Sequence, residues 1–166
     1  MDLSLSRRTP PVRDLLTALG FVVLVNLVGA APALLAGPDS AWFASLEKPA
    51  LYPPPATFGI VWTTLFTLSG VALWLVWSAP ASSARRTALV AFVAQFALNL
   101  AWTPTFFAAQ QLLAGLAVIV ALAVVLALTI VAFARVDRRA ALLLVPYLAW
   151  VCFAALLNYR FLVLNG

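Results

Sequence analysis

The sequence predicts an all-α integral membrane protein built as a five-transmembrane-helix bundle. Apolar residues make up 65% of the 166-residue chain and charged residues only 9%, whereas soluble domains average about 45–50% and about 25%. A soluble fold of this length could not bury so much apolar surface, so lipid must be part of its solvent. The apolar residues are concentrated in five long stretches, and the arginines cluster between them. These observations together predict membrane-spanning helices.

The five predicted spans follow a polar and basic N-terminal tail, residues 1–14, and form one predicted membrane domain, residues 15–166. They cover residues 15–36, 58–79, 88–109, 112–134 and 140–164. A helix of about 22 residues is ~33 Å long, which is enough for a ~30 Å hydrocarbon core. The first span has a basic flank like that of a signal peptide, but Pro32 spoils the small-residue cleavage site. We therefore expect this span to be retained.

The basic residues predict the orientation of the chain. Five spans place most of them on one face of the membrane, and the other face keeps only Lys48 and Arg160. The residues on the basic face are Arg7, Arg8, Arg13, Arg85, Arg86, Arg135, Arg138 and Arg139. Because basic connections stay on the cytoplasmic side, the N-terminus is predicted to be cytoplasmic and the C-terminus outside.

Several classes of function lack the residues that they need. The chain has no histidine and a single cysteine, Cys152, so an intrachain disulfide and a histidine-ligated metal or haem are excluded. The predicted spans contain no Asp, Glu or Lys, so no acid–base catalytic site is evident. The arginines form short clusters rather than a stripe, which argues against nucleic acid as a partner. We expect no metal site and no required cofactor, and enzymatic activity stays open.

The first connection, residues 37–57, is long and contains the proline-rich stretch KPALYPPP. Proline restricts the backbone and removes a donor, so the connection should be stiff and extended with little helix. With Trp42, Phe43 and Tyr52 it could cover the mouth of the bundle as a lid, and the alternative is a spacer whose aromatic rings rest at the interface. The other connections are very short, which predicts that consecutive spans pack as antiparallel neighbours.

Tryptophans are the most distinctive side chains of the predicted spans. Trp62, Trp102 and Trp150 lie at depths where they could converge below the first connection. Flat aromatic walls suit a flat apolar ligand, because offset stacking adds about 0.5–1.5 kcal/mol per ring pair. Lipid-facing or packing roles are an equally good interpretation of the spacing alone. Trp74 and Trp77 lie near a basic connection, which is typical of an interfacial belt.

One face of the third span mixes amide and aromatic side chains. Gln95, Asn99, Trp102 and Phe106 follow one another at intervals of three or four residues and share a helical face. The amides can hydrogen-bond to neighbouring helices or orient a ligand, and the two roles are compatible. Pro104 interrupts the same span and is expected to kink it.

Three stretches of the sequence together resemble the TspO/MBR family, whose members include translocator proteins, tryptophan-rich sensory proteins and peripheral-type benzodiazepine receptors. They are WFASLEKPALYPPPATFGIVWTTLF (residues 42–66), QFALNLAWTPTFF (residues 95–107) and PYLAWVCFAALLNY (residues 146–159). Their order, their spacing and the five spans are all similar to those of the family. The resemblance implies a five-helix bundle in a bacterial cell membrane, a homodimer, and a ligand pocket under the first connection.

The resemblance also implies a function. Members of the family bind porphyrins such as protoporphyrin IX and haem-like tetrapyrroles, so we expect a sensor, carrier or regulator of porphyrin levels with porphyrin as ligand rather than cofactor. The alternatives are light-dependent degradation of protoporphyrin and transport of a small molecule or lipid. Animal members also bind cholesterol and benzodiazepine-site drugs, which makes a lipid or sterol a further candidate partner.

Matching motif positions imply individual site residues. Trp62 and Trp150 match the tryptophan pair tied to the pocket and its chemistry, which makes them the candidate catalytic residues. The resemblance assigns Asn99 and Trp102 to the pocket and Ala154 to a small-residue position near the sterol-binding edge. The full candidate ligand-binding set is Trp42, Pro49, Phe58, Trp62, Gln95, Asn99, Trp102, Phe106, Tyr147, Trp150, Ala154 and Asn158.

The sequence departs from the family pattern at two places. The loop position that usually carries an aromatic residue before the prolines is Leu51, with Tyr52 next to it. The sterol-recognition pattern needs a spacer between its tyrosine and its base, but Tyr159 is followed directly by Arg160. Sterol recognition by that pattern is therefore not expected.

Overall fold

The computed structural model describes residues 12–166, and this part of the chain is built from α-helices without a β-strand. Five of its helices are long and apolar enough to span a membrane, which confirms the predicted fold class. The helices are α1 (Val12–Leu35), α2 (Ala41–Ser45), α3 (Pro55–Ser78), α4 (Ser83–Thr103), α5 (Leu112–Ala134) and α6 (Arg138–Asn165). Residues 1–11 of the predicted cytoplasmic tail lie outside the described residues, and the rest of that tail begins α1.

The helices extend beyond the predicted apolar stretches where polar caps support them. The Ser82 hydroxyl accepts a hydrogen bond from the backbone N–H of Arg85 (3.1 Å), so α4 begins before the apolar stretch that was predicted from residue 88. The Asp137 carboxylate accepts a bond from the N–H of Arg139 (2.7 Å) at the start of α6. Both caps satisfy backbone donors that a helix N-terminus leaves free.

At its other end α4 continues into a π-helical turn, Pro104–Ala108. The N–H of Ala109 donates to the carbonyl of Pro104 (2.8 Å), which closes the wider turn. The Thr105 hydroxyl donates to the carbonyl of Ala101 (2.7 Å) just before this turn, and Pro104 has no N–H to donate to the carbonyl of Leu100 one turn earlier. Proline is thus accommodated by a wider turn, a feature often found at functional sites.

The five long helices form a ring in the order α1, α3, α6, α5, α4. The closest packing joins α5 to α6 and to α4, and α3 packs mainly on α1 and α6. The prediction that consecutive spans are close neighbours therefore holds for α4–α5–α6, but α3 and α4 meet only lightly although a short connection joins them. Only Val25 of α1 is buried, so most of this outer helix is left for lipid.

Close approach of α1 and α3 depends on Gly70. A Cβ atom at this position would lie 2.6 Å from Cα of Val22 and 3.0 Å from the carbonyl oxygen of Phe21. Both are backbone atoms, so the clash could be relieved only by moving the whole helix. A small residue at a helix crossing is the usual solution in membranes.

We predict that Gly70→Ala destabilises the protein, by about 1–3 kcal/mol, because overpacked sites force backbone shifts. The measurement is thermal unfolding of the detergent-solubilised protein. Gly20→Ala is the matched control, since a Cβ atom there has nothing within 4 Å. Equal melting temperatures for the two variants would show that the α1–α3 contact does not need the glycine.

Candidate functional site

A cavity of about 160 Å³ lies at the end of the bundle that the first connection covers. Its walls come from α3, α4 with its π-helical turn, α6 and the end of α1 at Ala33, and its roof comes from residues 36–54. More than half of the lining residues are aromatic, and the polar contribution to the surface is small. The aromatic residues that line it are Phe43, Tyr52, Phe58, Trp62, Trp102, Phe106, Phe107, Trp150 and Phe161.

The roof is held by aromatic packing that begins at α2. The Ser40 hydroxyl accepts a bond from the N–H of Phe43 (3.1 Å) and caps this short helix. The buried Phe43 ring then meets Phe107 at 5.0 Å and Phe161 at 5.6 Å between centroids. Tyr52 packs on Phe58 (5.4 Å). The connection therefore lies over the cavity, in the position that the lid interpretation requires.

Two polar side chains hold the roof more specifically. Asn165, at the end of α6, accepts a bond from the N–H of Glu47 (2.7 Å) and donates to the carbonyl of Glu47 (3.1 Å). The Lys48 ammonium lies 3.5 Å from the Phe43 ring centroid and donates to the carbonyl of Phe43. Partial burial lowers the pKa of Lys48 and raises the pKa of Tyr52, since in both cases it disfavours the charged form.

The cavity wall brings together the three tryptophans Trp62, Trp102 and Trp150. Trp102 stacks on Phe106 with centroids 5.2 Å apart and planes 28° apart. Trp150 meets Phe58 edge to face at 5.9 Å. These contacts fix the orientation of each indole and leave part of it facing the cavity.

Asn158 ties three helices together at this wall. Its side-chain oxygen accepts a bond from the indole N–H of Trp102 (3.1 Å), and its amide donates to the carbonyl of Leu112 (3.0 Å). Gly115 leaves room for it, because a Cβ atom there would lie 3.2 Å from the Asn158 oxygen. Trp150 differs from Trp102: its buried indole N–H has no partner within residues 12–166.

Comparison with known proteins places this architecture in a family. The sequence profile of the TspO/MBR family matches residues 21–164. The chain belongs to the TspO/MBR family. Every residue that lines the cavity lies within the matched range, so the cavity is part of the family domain.

Relatives from distant organisms cover most of the chain. The tryptophan-rich protein TspO of Chlorobaculum tepidum is 42% identical over 77% of this chain and 82% of its own length. The translocator protein of Sus scrofa is 37% identical over 87% of each chain, and the protein CrtK of Rhodobacter capsulatus is 34% identical over 87% of this chain and 90% of its own. The family resemblance predicted from the sequence is confirmed.

The structure places the predicted ligand-binding residues in two groups. The first group lines the cavity and consists of Phe58, Trp62, Trp102, Phe106, Trp150, Ala154 and Asn158. The candidate catalytic pair belongs to it. These seven residues meet at one cavity because of the order in which the helices are arranged around the ring. Spacing along the sequence does not reveal that order.

The second group supports the cavity without lining it. Trp42 packs against Phe106 from outside (6.0 Å between centroids), and the buried Pro49 accepts a backbone bond from Tyr52 (2.8 Å) that shapes the roof. Tyr147 is buried against Trp62 at 6.0 Å. Gln95 and Asn99 are buried in α4. The predicted amide–aromatic stripe of α4 is thus split, since only Trp102 and Phe106 reach the cavity.

Some lining residues were not among the sequence predictions. Leu157 and Phe161 continue the α6 face that Trp150, Ala154 and Asn158 define, so a longer search for helical spacing would have found them. No sequence signal marked the remaining ones. These are Ala33, Gly37, Pro38, Pro55, Thr103 and Phe107.

We predict that Asn165→Ala loosens the roof, because it removes both side-chain bonds to Glu47. Loss of exposed hydrogen bonds worth about 1 kcal/mol should speed amide exchange at Glu47 about five-fold. Hydrogen–deuterium exchange of the detergent-solubilised protein measures this. Asn26→Ala is the control, since Asn26 bonds to Val22 and Thr67, away from the roof. Unchanged exchange at Glu47 in the Asn165 variant would contradict the role of this residue.

Proposed function

We propose that the protein is a membrane tetrapyrrole-binding protein that acts as a sensor, carrier or regulator of porphyrin levels. The observation that carries this proposal is the roofed cavity with Trp62, Trp102 and Trp150 in its wall. Indole rings from three helices favour a flat, conjugated and largely apolar ligand, which gains aromatic contacts when it leaves lipid or water.

The polar groups of the wall favour a ligand with few hydrogen-bonding groups. The Asn158 amide already bonds to Trp102 and Leu112. The buried indole N–H of Trp150 has no partner in the described part of the chain, and buried donors normally have one. A ligand acceptor next to Trp150 would satisfy it.

The size of the cavity implies that the roof moves. Sites for drug-sized ligands usually have about 300–1,000 Å³, and the closed cavity has about 160 Å³. Binding of a tetrapyrrole therefore requires residues 36–54 to lift. Lys48 lies in this roof, beside Phe43, and its ammonium could meet a ligand carboxylate there. Since the chain has no histidine, a metal-free porphyrin should bind at least as well as haem.

The proposed setting is a bacterial cell membrane with the N-terminus in the cytoplasm and the roof outside. The spans are consistent with an integral membrane protein. The ends of α3 and α5 that lead to arginine-bearing connections share one end of the bundle, and the positive-inside rule assigns that end to the cytoplasm. The homodimer, and lipid or sterol as further ligands, stay predictions.

We predict that protoporphyrin IX quenches the tryptophan fluorescence of the wild type, and that Trp62→Leu and Trp150→Leu each weaken binding about three- to ten-fold, the value of a lost stacking contact. Titration in detergent gives the affinities. Trp74→Leu is the matched control, because Trp74 lies in α3 but not in the cavity wall. Equal affinities for all four proteins would place the porphyrin elsewhere.

Light-dependent degradation of protoporphyrin is the second candidate function. It is favoured by the location of two cavity tryptophans, Trp62 and Trp150, where a stacked porphyrin would contact an indole. An excited porphyrin can take one electron from the indole, which leaves a reduced porphyrin and an oxidised tryptophan, and ring opening then needs dioxygen as the oxidant.

We predict that Trp62→Phe with Trp150→Phe slows bleaching of bound protoporphyrin under light and air, while binding is largely kept because phenyl rings still stack. Absorbance of the bound porphyrin measures the rate, and Trp74→Phe serves as control. If the double variant bleaches porphyrin as fast as the wild type, the indoles take no part and the binding function stands alone.

A further inference from the structure

A second cavity, away from the roof, opens between α1, α3 and α4. It has a volume of about 430 Å³, and its surface is almost entirely apolar. Helix α4 contributes residues from Leu89 to Leu100, which corresponds to about 16 Å of helix. This length matches half of the ~30 Å hydrocarbon core. The groove therefore has the length of one leaflet.

The groove ends at a cationic side chain. Trp77, on α3, lines it and packs on Phe21 of α1 at 5.9 Å between centroids. The Arg85 guanidinium lies 5.3 Å from the Trp77 ring centroid, and its buried Nε has no hydrogen-bond partner within residues 12–166. Arg86 follows it at the same helix end. An apolar groove thus lies next to an arginine whose guanidinium packs on Trp77, one of the residues that line it.

We propose that this groove binds an anionic phospholipid, with an acyl chain along α4 and the headgroup phosphate on Arg85. Arginine suits phosphate because its planar fork donates several hydrogen bonds. Basic pockets between membrane helices are known to hold acidic headgroups. The site is separate from the roofed cavity, and the proposal does not depend on the tetrapyrrole function.

Charge favours a lipid over a second copy of the chain as the occupant. A two-fold symmetric partner with its axis along the membrane normal would bring its own Arg85 and Arg86 to the same end of the interface. Like charges would then face each other, whereas a phosphate neutralises them. The length of the groove along α4 also matches a single acyl chain of one leaflet.

The test is native mass spectrometry of the full-length protein in detergent, with equal amounts of dioleoyl phosphatidylglycerol and dioleoyl phosphatidylcholine. The wild type should retain the phosphatidylglycerol preferentially. Arg85→Gln should lower phosphatidylglycerol retention about five-fold, the effect of one basic residue near a headgroup, and leave phosphatidylcholine unchanged. Arg138→Gln, an exposed arginine at the same end of the bundle on α6, should have no effect.

A second pair of variants tests the groove itself. Ala97→Phe fills it and should reduce retention of both lipids, whereas Ala117→Phe, on an exposed face of α5, should not. Equal retention of the two lipids by the wild type would overturn the proposal, as would an equal loss in Arg138→Gln. If Ala97→Phe changes the oligomeric mass and leaves lipid retention unchanged, a second copy covers the groove and the lipid proposal is wrong.

Discussion

The packing of Phe43, a side chain of the short helix α2, holds the roof over the cavity. Its ring lies among Phe106, Phe107 and Phe161 and is covered by Lys48. Each edge-to-face contact contributes about 0.5–1.5 kcal/mol beyond burial, so the cluster, rather than the few hydrogen bonds at Asn165, dominates roof closure. Aromatic contacts are non-polar and short-ranged, and the proposed flat ligand would make contacts of the same kind with the cavity wall.

The bilayer imposes a second constraint, because each backbone polar group in hydrocarbon must be satisfied within the protein. Continuous α-helices meet this requirement, and the π-helical turn after α4 is an exception that lies beside the roofed cavity. Phe106 and Phe107 of the π-helical turn Pro104–Ala108 line the cavity, whereas Pro104 and Ala108 of the same turn are exposed. Irregular backbone at membrane depth is tolerated where it is buried in protein or lines a cavity. The site therefore lies where helix geometry is already interrupted.

The two ends of the bundle are built for different contacts. One end has an aromatic roof that is fixed to α6 through Asn165. The other has short connections with arginines, and the light packing between α3 and α4 leaves the groove that ends at Arg85. Helix α1 buries little of its own surface, contributes Ala33 to the roofed cavity and forms one wall of the groove. The proposed tetrapyrrole site and the proposed lipid site therefore lie at different places in one small bundle.

The sequence by itself determined the five spans and the family, because hydrophobic length is a local property that each segment carries alone and the family motifs are read directly from the residues. It also named Trp62, Trp102 and Trp150 as side chains that could converge below the first connection, although spacing alone favoured packing or lipid-facing roles equally. Only the tertiary structure decided that Gln95, Asn99 and Tyr147 lie behind the wall and that Phe107 and Phe161 form part of it. Which face of a helix meets a cavity depends on the ring order and on the π-helical turn after α4, and these result from packing among all the helices at once rather than from any one segment.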